Sequence, residues 1–169
     1  DRLISQIFFI LTLITLFFWF WKIEKQKTTS ILKNSRPERV VFYWALMGAG
    51  IFSAFLQHLG SLSIWVDYMS LVVLLISWYA SWMFAVHTND IADISIDEVS
   101  NKNRPIVKGE LSKEEMKEIG KMWLLISIIG SFIVSPYTLF MNLVFTASYY
   151  IYSAPPLRLK RIPIFSSFL

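Results

Sequence analysis

The chain has 169 residues, of which 55% are hydrophobic and 17% aromatic, whereas soluble domains are about 45–50% apolar. It contains no cysteine, which excludes disulfides and thiolate metal sites. The net charge of +4 does not indicate nucleic-acid binding, because the basic residues lie in short segments between long apolar runs. These features predict an all-α, polytopic membrane protein.

Five apolar runs have about the length that a bilayer-spanning helix needs. In chain order they cover residues 3–21, 40–59, 63–86, 119–135 and 137–152. A signal peptide is the alternative for the first run, but the basic start and the small-residue cleavage site are missing. Pro136 separates the last two runs and predicts a helical hairpin. Ser112, with Glu115 three residues later, predicts a capping box at the start of a surface helix.

Basic residues support this topology. Fifteen of the 16 Lys and Arg residues fall in three segments, 22–39, 102–121 and 158–161, and five spans place all three on one side. By the positive-inside rule that side is cytoplasmic.

The chain reads as part of a longer protein, because it starts at Asp1 and stops inside a new apolar run, 162–169. We expect two parts: an additional N-terminal helix with its basic loop (1–35), and an incomplete membrane domain (36–169).

Three aspartates follow the third predicted span. Asp90, Asp93 and Asp97 are spaced i, i+3, i+7, so on a continuing helix they share one face, with Asn89 beside them. Like charges at this spacing repel, and carboxylate oxygens suit Mg²⁺ bridged to a phosphate. A solvated acidic helix end that binds nothing is the plainer alternative.

Two basic groups accompany these acids. The first follows the acids directly and the second follows the fifth span; their members are Lys102, Arg104, Lys108, Arg158, Lys160 and Arg161. Cations facing metal-bound carboxylates can clamp a diphosphate. A role in fixing the orientation of the chain in the membrane explains the basic residues equally well.

The motifs resemble those of the UbiA superfamily of intramembrane prenyltransferases. Residues 89–97 (NDIADISID) with 104–112 (RPIVKGELS) are similar to the first aspartate-rich signature of that family. Residues 152–161 (YSAPPLRLKR) are similar to the loop after its fourth helix, and 35–37 (SRP) to the start of its first. The second aspartate-rich motif has no counterpart, so the resemblance implies that this chain alone is inactive.

The resemblance implies a helical membrane bundle around a cavity. It implies Mg²⁺-dependent transfer of a prenyl chain from a polyprenyl diphosphate to an aromatic or lipid acceptor soluble in the membrane. Asp90, Asp93 and Asp97 would be the catalytic, metal-binding residues. The diphosphate would be bound by Asn89, Lys102, Arg104, Arg158, Lys160 and Arg161.

Aromatic rings could shelter the allylic cation that forms when diphosphate leaves. The candidates are Trp78, Tyr79, Trp82, Phe84, Tyr149 and Tyr150, for which ordinary packing is the alternative. His87, one turn before Asp90, either supports the site or makes an ordinary helix-end hydrogen bond.

Two other functions stay open: a cation-binding membrane transporter and a catalytically inactive scaffold. The acceptor is also open among a quinone-ring precursor, a glycerol ether lipid, a porphyrin and a sugar phosphate. The short interval between Asp97 and Arg104 resembles that of the archaeal-type ether-lipid synthases more than that of the hydroxybenzoate branch of the family.

Overall fold

The computed structural model describes residues 1–57 and 65–162, and within them the regular structure is helical. Over these described residues, seven α-helices and one 3₁₀ turn follow one another in chain order. They are α1 (Arg2–Ile23), α2 (Lys25–Lys33), α3 (Pro37–Gln57), α4 (Trp65–Ala92), α5 (Ile94–Ser100), α6 (Lys113–Val134), α7 (Pro136–Ser153) and the 3₁₀ turn Leu159–Arg161. The prediction of an all-α helical bundle is confirmed.

Three helices in the described part, α1, α3 and α4, are long and apolar enough to cross a membrane. The fourth and fifth predicted spans form α6 and α7, which fall outside this group, so the count of five remains a prediction. The loop predicted around Gly60 and residues 163–169 of the expected sixth span lie outside the described residues.

Local signals explain several helix ends. Pro37 opens α3, where its missing N–H costs no hydrogen bond. The predicted capping box is confirmed: the Glu115 amide donates to Ser112 Oγ at 3.1 Å, and the Ser112 amide donates to Glu115 Oε2 at 2.8 Å. Ser135, in extended conformation, joins α6 to α7 and caps the latter, which confirms the predicted hairpin.

Helix α4 is the centre of the bundle and packs against α1, α6 and α7. Its contacts with α6 and α7 are lined by small polar residues, which let helices approach closely. Asn142 of α7 lies fully buried there and donates to the hydroxyls of Ser127 and Ser131, each at 2.6 Å. Ser81 of α4 donates to the Asn142 side-chain oxygen, so one amide links three helices.

An apolar core lies next to the C-terminal end of α4, close to the aspartates. It is formed by Ile31, Val40, Trp82, Met83, Val86, Leu111 and Met116. Because Ile31 belongs to α2 and Met116 to α6, this core fixes both segments against α4 next to the aspartates.

Candidate active site

The helix that carries the aspartates is not continuous, so the expectation of one acidic helix face is wrong. Asp90 lies in α4, Asp97 lies in α5, and Asp93 stands between the two helices with φ −107° and ψ 10°. Backbone hydrogen bonds still cross the break, from Asp93 N to Asn89 O at 3.0 Å and from Asp97 N to Asp93 O at 2.8 Å. The regular helix is therefore interrupted at Asp93 although hydrogen bonds continue across it, and the three carboxylates have different sets of neighbours.

Asp90 is fully buried and has both carboxylate oxygens engaged. Asn34 Nδ2 donates to Oδ2 at 2.7 Å, and the Arg36 guanidinium donates to Oδ1 at 2.7 Å. Arg104 Nε lies 3.8 Å from the same Oδ1. A buried carboxylate requires such partners, because the cost of removing its charge from water is otherwise large.

Asp93 is held by the basic residues that follow α7. Arg158 and Lys160 both form ion pairs with its carboxylate, and Lys160 also donates to Asn89 Oδ1 at 2.7 Å. Burial raises the pKa of Asp93, but the hydrogen bonds and charges of Lys160 and Arg158 outweigh it. The pKa of this carboxyl therefore lies below its ordinary value.

Asp97 is almost fully buried and shares a cation with Asp90. Arg104 Nε lies 3.7 Å from Asp97 Oδ2, and Asn101 Nδ2 donates to Oδ1 at 3.0 Å. Asp97 Oδ2 accepts no hydrogen bond within the described part of the chain. Arg104 thus lies between two carboxylates that belong to different helices.

Most of the residues proposed from the sequence for binding diphosphate lie at the acids. The structure brings Asn89, Arg104, Arg158 and Lys160 to them. Lys102, Lys108 and Arg161 are exposed, and over residues 1–57 and 65–162 none of them forms an ion pair with an aspartate. The structure thus divides the proposed basic residues into half-buried ones that pair with carboxylates and exposed ones that face solvent.

Sequence reasoning missed two residues that contact Asp90, namely Asn34 and Arg36. Arg36 belongs to the SRP motif, which could have indicated it, but no pattern marks Asn34. Both lie in the connection between α2 and α3, where Arg36 has a φ of 55°. Trp82 of α4 fixes this connection by donating its Nε1–H to the Ser35 carbonyl at 2.9 Å.

The donor chemistry of these side chains fits Mg²⁺, which prefers carboxylate and carbonyl oxygens. Within the described residues, however, no three acidic or histidine side chains are grouped as metal ligands. Each carboxylate faces a cation instead. His87 does not join the group: its Nδ1 is 2.7 Å from the Met83 carbonyl of its own helix, and Nε2 has no partner in the described region.

An aromatic cleft of about 180 Å³ opens between α3, α4 and α7. Its lining consists of Val40, Tyr43, Trp44, Met47, Trp78, Tyr79, Trp82 and Phe145. Three of the six rings proposed from the sequence therefore line it. Phe84 and Tyr150 stack on each other instead, and Tyr149 packs against the edge of Trp82. Trp82 lines the cleft and also bonds the connection that contacts Asp90, so it joins the cleft to the acidic site.

Comparison with known proteins identifies the family to which the chain belongs. No curated protein and no solved structure gives a significant match to the chain. The model of the UbiA prenyltransferase family matches residues 46–169, which is more than half of the chain and includes α4 to α7 with all three aspartates. With its apolar helices, the chain is an integral membrane protein of the prenyltransferase type, and it belongs to the UbiA prenyltransferase family.

Proposed function

We propose that the protein transfers a prenyl chain from a polyprenyl diphosphate to an aromatic or lipid acceptor within the membrane, in a reaction that requires Mg²⁺. One observation carries the proposal: three aspartates form ion pairs with half-buried cations beside a cleft lined by aromatic rings. A diphosphate head needs cations and a prenyl tail needs an apolar cleft, and the two are adjacent here.

The basic residues would bind the diphosphate and stabilise the leaving group. Arg104, Arg158 and Lys160 are held close to the acids, so their charges are oriented before the substrate arrives. Preorganised cations at developing negative charge lower the barrier more than mobile ones do, because they need no reorientation during the reaction. Arg104 and Arg158 also present planar guanidinium groups that suit two phosphate oxygens.

The acids and Asn89 would hold Mg²⁺ at the diphosphate. When bound, the metal would neutralise charge on the phosphate oxygens and help diphosphate to leave. Asp90, Asp93 and Asp97 supply the carboxylate oxygens, and Asn89 supplies an amide oxygen.

The aromatic cleft would receive the prenyl chain. Loss of diphosphate leaves an allylic cation, which water would quench. Trp78, Tyr79 and Trp82 line a cleft whose walls are apolar, and the faces of aromatic rings attract cations. By the positive-inside rule, the basic loops and this site would lie on the cytoplasmic side.

The experiment is a transfer assay with the intact protein in detergent. It uses labelled geranylgeranyl diphosphate and one acceptor from each of the four candidate classes. Asp90→Asn and Asp93→Asn should each abolish transfer. Glu118→Gln is the matched control, because this exposed acid pairs, within the described residues, only with Lys121 on its own helix. Near-normal rates in both aspartate variants would overturn the assignment, and a wild-type protein that transfers to none of the acceptors would favour a transporter or an inactive scaffold.

A further inference from the structure

The connection between α2 and α3 holds a buried amide between an acid and a base of the site. Asn34 is only 6% exposed. Its Nδ2 donates to Asp90 Oδ2 at 2.7 Å, and its Oδ1 accepts from an Arg104 guanidinium nitrogen at 3.2 Å. Both ends of the side chain are therefore committed to residues far away in the sequence.

This arrangement differs from that of an ordinary helix-capping asparagine. The backbone N–H of Asn34 already bonds the Ser30 carbonyl at 3.0 Å, which closes α2 without help from the side chain. The side chain leaves its own helix and spans the gap to α4 and to the loop after α5. Ser35 and Arg36 anchor the connection on either side of that gap, through Trp82 and Asp90 respectively.

Arg104 Nε lies 3.8 Å from Asp90 and 3.7 Å from Asp97, longer than a direct charge-assisted hydrogen bond. The neutral amide of Asn34 bridges the two groups, since it donates to Asp90 Oδ2 and accepts from Arg104. An Arg104 that paired fully with Asp90 would have fewer donors left for a substrate phosphate.

We propose that Asn34 is a positioning residue, which sets the orientation of the Asp90 carboxylate and the Arg104 guanidinium for binding Mg²⁺ and diphosphate. This inference rests on the proposed function. It extends the site to a residue outside the segment 46–169 that the family model matches.

The test is binding of inorganic diphosphate to the intact protein, measured by calorimetry over a range of Mg²⁺ concentrations. Asn34→Ala removes both hydrogen bonds, while Asn34→Gln keeps the amide on a chain longer by one methylene. Both variants should need more Mg²⁺ for half-maximal diphosphate binding: about 10- to 100-fold more for alanine, the usual range for supporting residues of metal sites, and less for glutamine.

Thr29→Ala is the matched control, because this α2 hydroxyl donates to the Lys25 carbonyl of its own helix at 2.8 Å. It should leave the Mg²⁺ dependence unchanged. If Asn34 has only a structural role, its variants will have a lower melting temperature but an unchanged Mg²⁺ dependence of diphosphate binding. That result would overturn the proposal. If Asn34→Ala does not fold, the Mg²⁺ dependence of Asn34→Gln alone decides between a positioning role and a purely structural one. A wild-type protein that binds no diphosphate at any Mg²⁺ concentration would overturn the proposed function instead.

Discussion

Replacing Asn142 by leucine tests how the helices of this bundle are held together. Asn142 Nδ2 donates to Ser127 Oγ and Ser131 Oγ at 2.6 Å and to the Ser127 carbonyl at 3.1 Å, and its side-chain oxygen accepts from Ser81. The leucine side chain has the same number of heavy atoms with the same branching, so the change removes four hydrogen bonds without opening a large cavity.

The expected cost follows from these contacts. A side-chain hydrogen bond between membrane helices contributes about 0.6 kcal/mol on average, so four of them give about 2 to 3 kcal/mol. The serine hydroxyls can turn back to carbonyls of their own helices, which keeps the cost below that of leaving them unpaired.

The free energy of unfolding in detergent micelles, measured by denaturant titration, checks this value. Thr146→Val is the matched control, since this buried hydroxyl on the same helix donates to the Asn142 carbonyl at 2.8 Å and joins no second helix. A stability of Asn142→Leu within about 0.5 kcal/mol of wild type, the range of ordinary surface substitutions, would refute the role of the amide.

Three further predictions concern other contacts. Gly130→Ala should lower the free energy of unfolding by about 1 to 3 kcal/mol through overpacking, because a Cβ there would lie closer than van der Waals contact to side chains of α1 and α4. Gly48→Ala is the control and should not lower it, because nothing lies within 4 Å of a Cβ at that position. The hydrogen bond from Lys27 lowers the pKa of Glu115 to about 2, from an ordinary 4.5. The stability from this pair is therefore present above pH 4.5 and lost as the pH falls toward 2. The melting temperature of Glu115→Gln should not show this pH dependence. A pH dependence equal to that of the wild type would contradict the pairing. Lys160→Met should raise the KM for geranylgeranyl diphosphate about tenfold or more, since it removes a charge-assisted contact to the substrate; an unchanged KM would exclude Lys160 from binding it.

Much of the fold could be predicted because long apolar runs and charge-rich segments alternate so clearly. The hairpin at Pro136 and the capping box at Ser112 depend on neighbouring residues alone, so local chemistry was sufficient for both. The sequence did not predict the break at Asp93, because the i, i+3, i+7 spacing fits one continuous helix as well as two helices separated by a single non-helical residue.

The candidate site could be predicted where charges stand in recognisable motifs, as with Arg104, Arg158 and Lys160. Asn34 could not be found in this way, because one asparagine near a helix end is usually a cap. Its role depends on a contact across 56 positions of sequence, which only the packing of α2 against α4 creates.

The proposal that this protein binds a diphosphate through Mg²⁺ is tested most directly by thermal stability of the intact protein in detergent. The melting temperature would be followed over a Mg²⁺ titration, with and without geranylgeranyl diphosphate, for wild type and Asp90→Asn. The account predicts that Mg²⁺ and the diphosphate together stabilise the wild type more than either does alone, and that Asp90→Asn loses this joint effect. Stabilisation by Mg²⁺ that is indifferent to the diphosphate would contradict the account and indicate ion binding or transport.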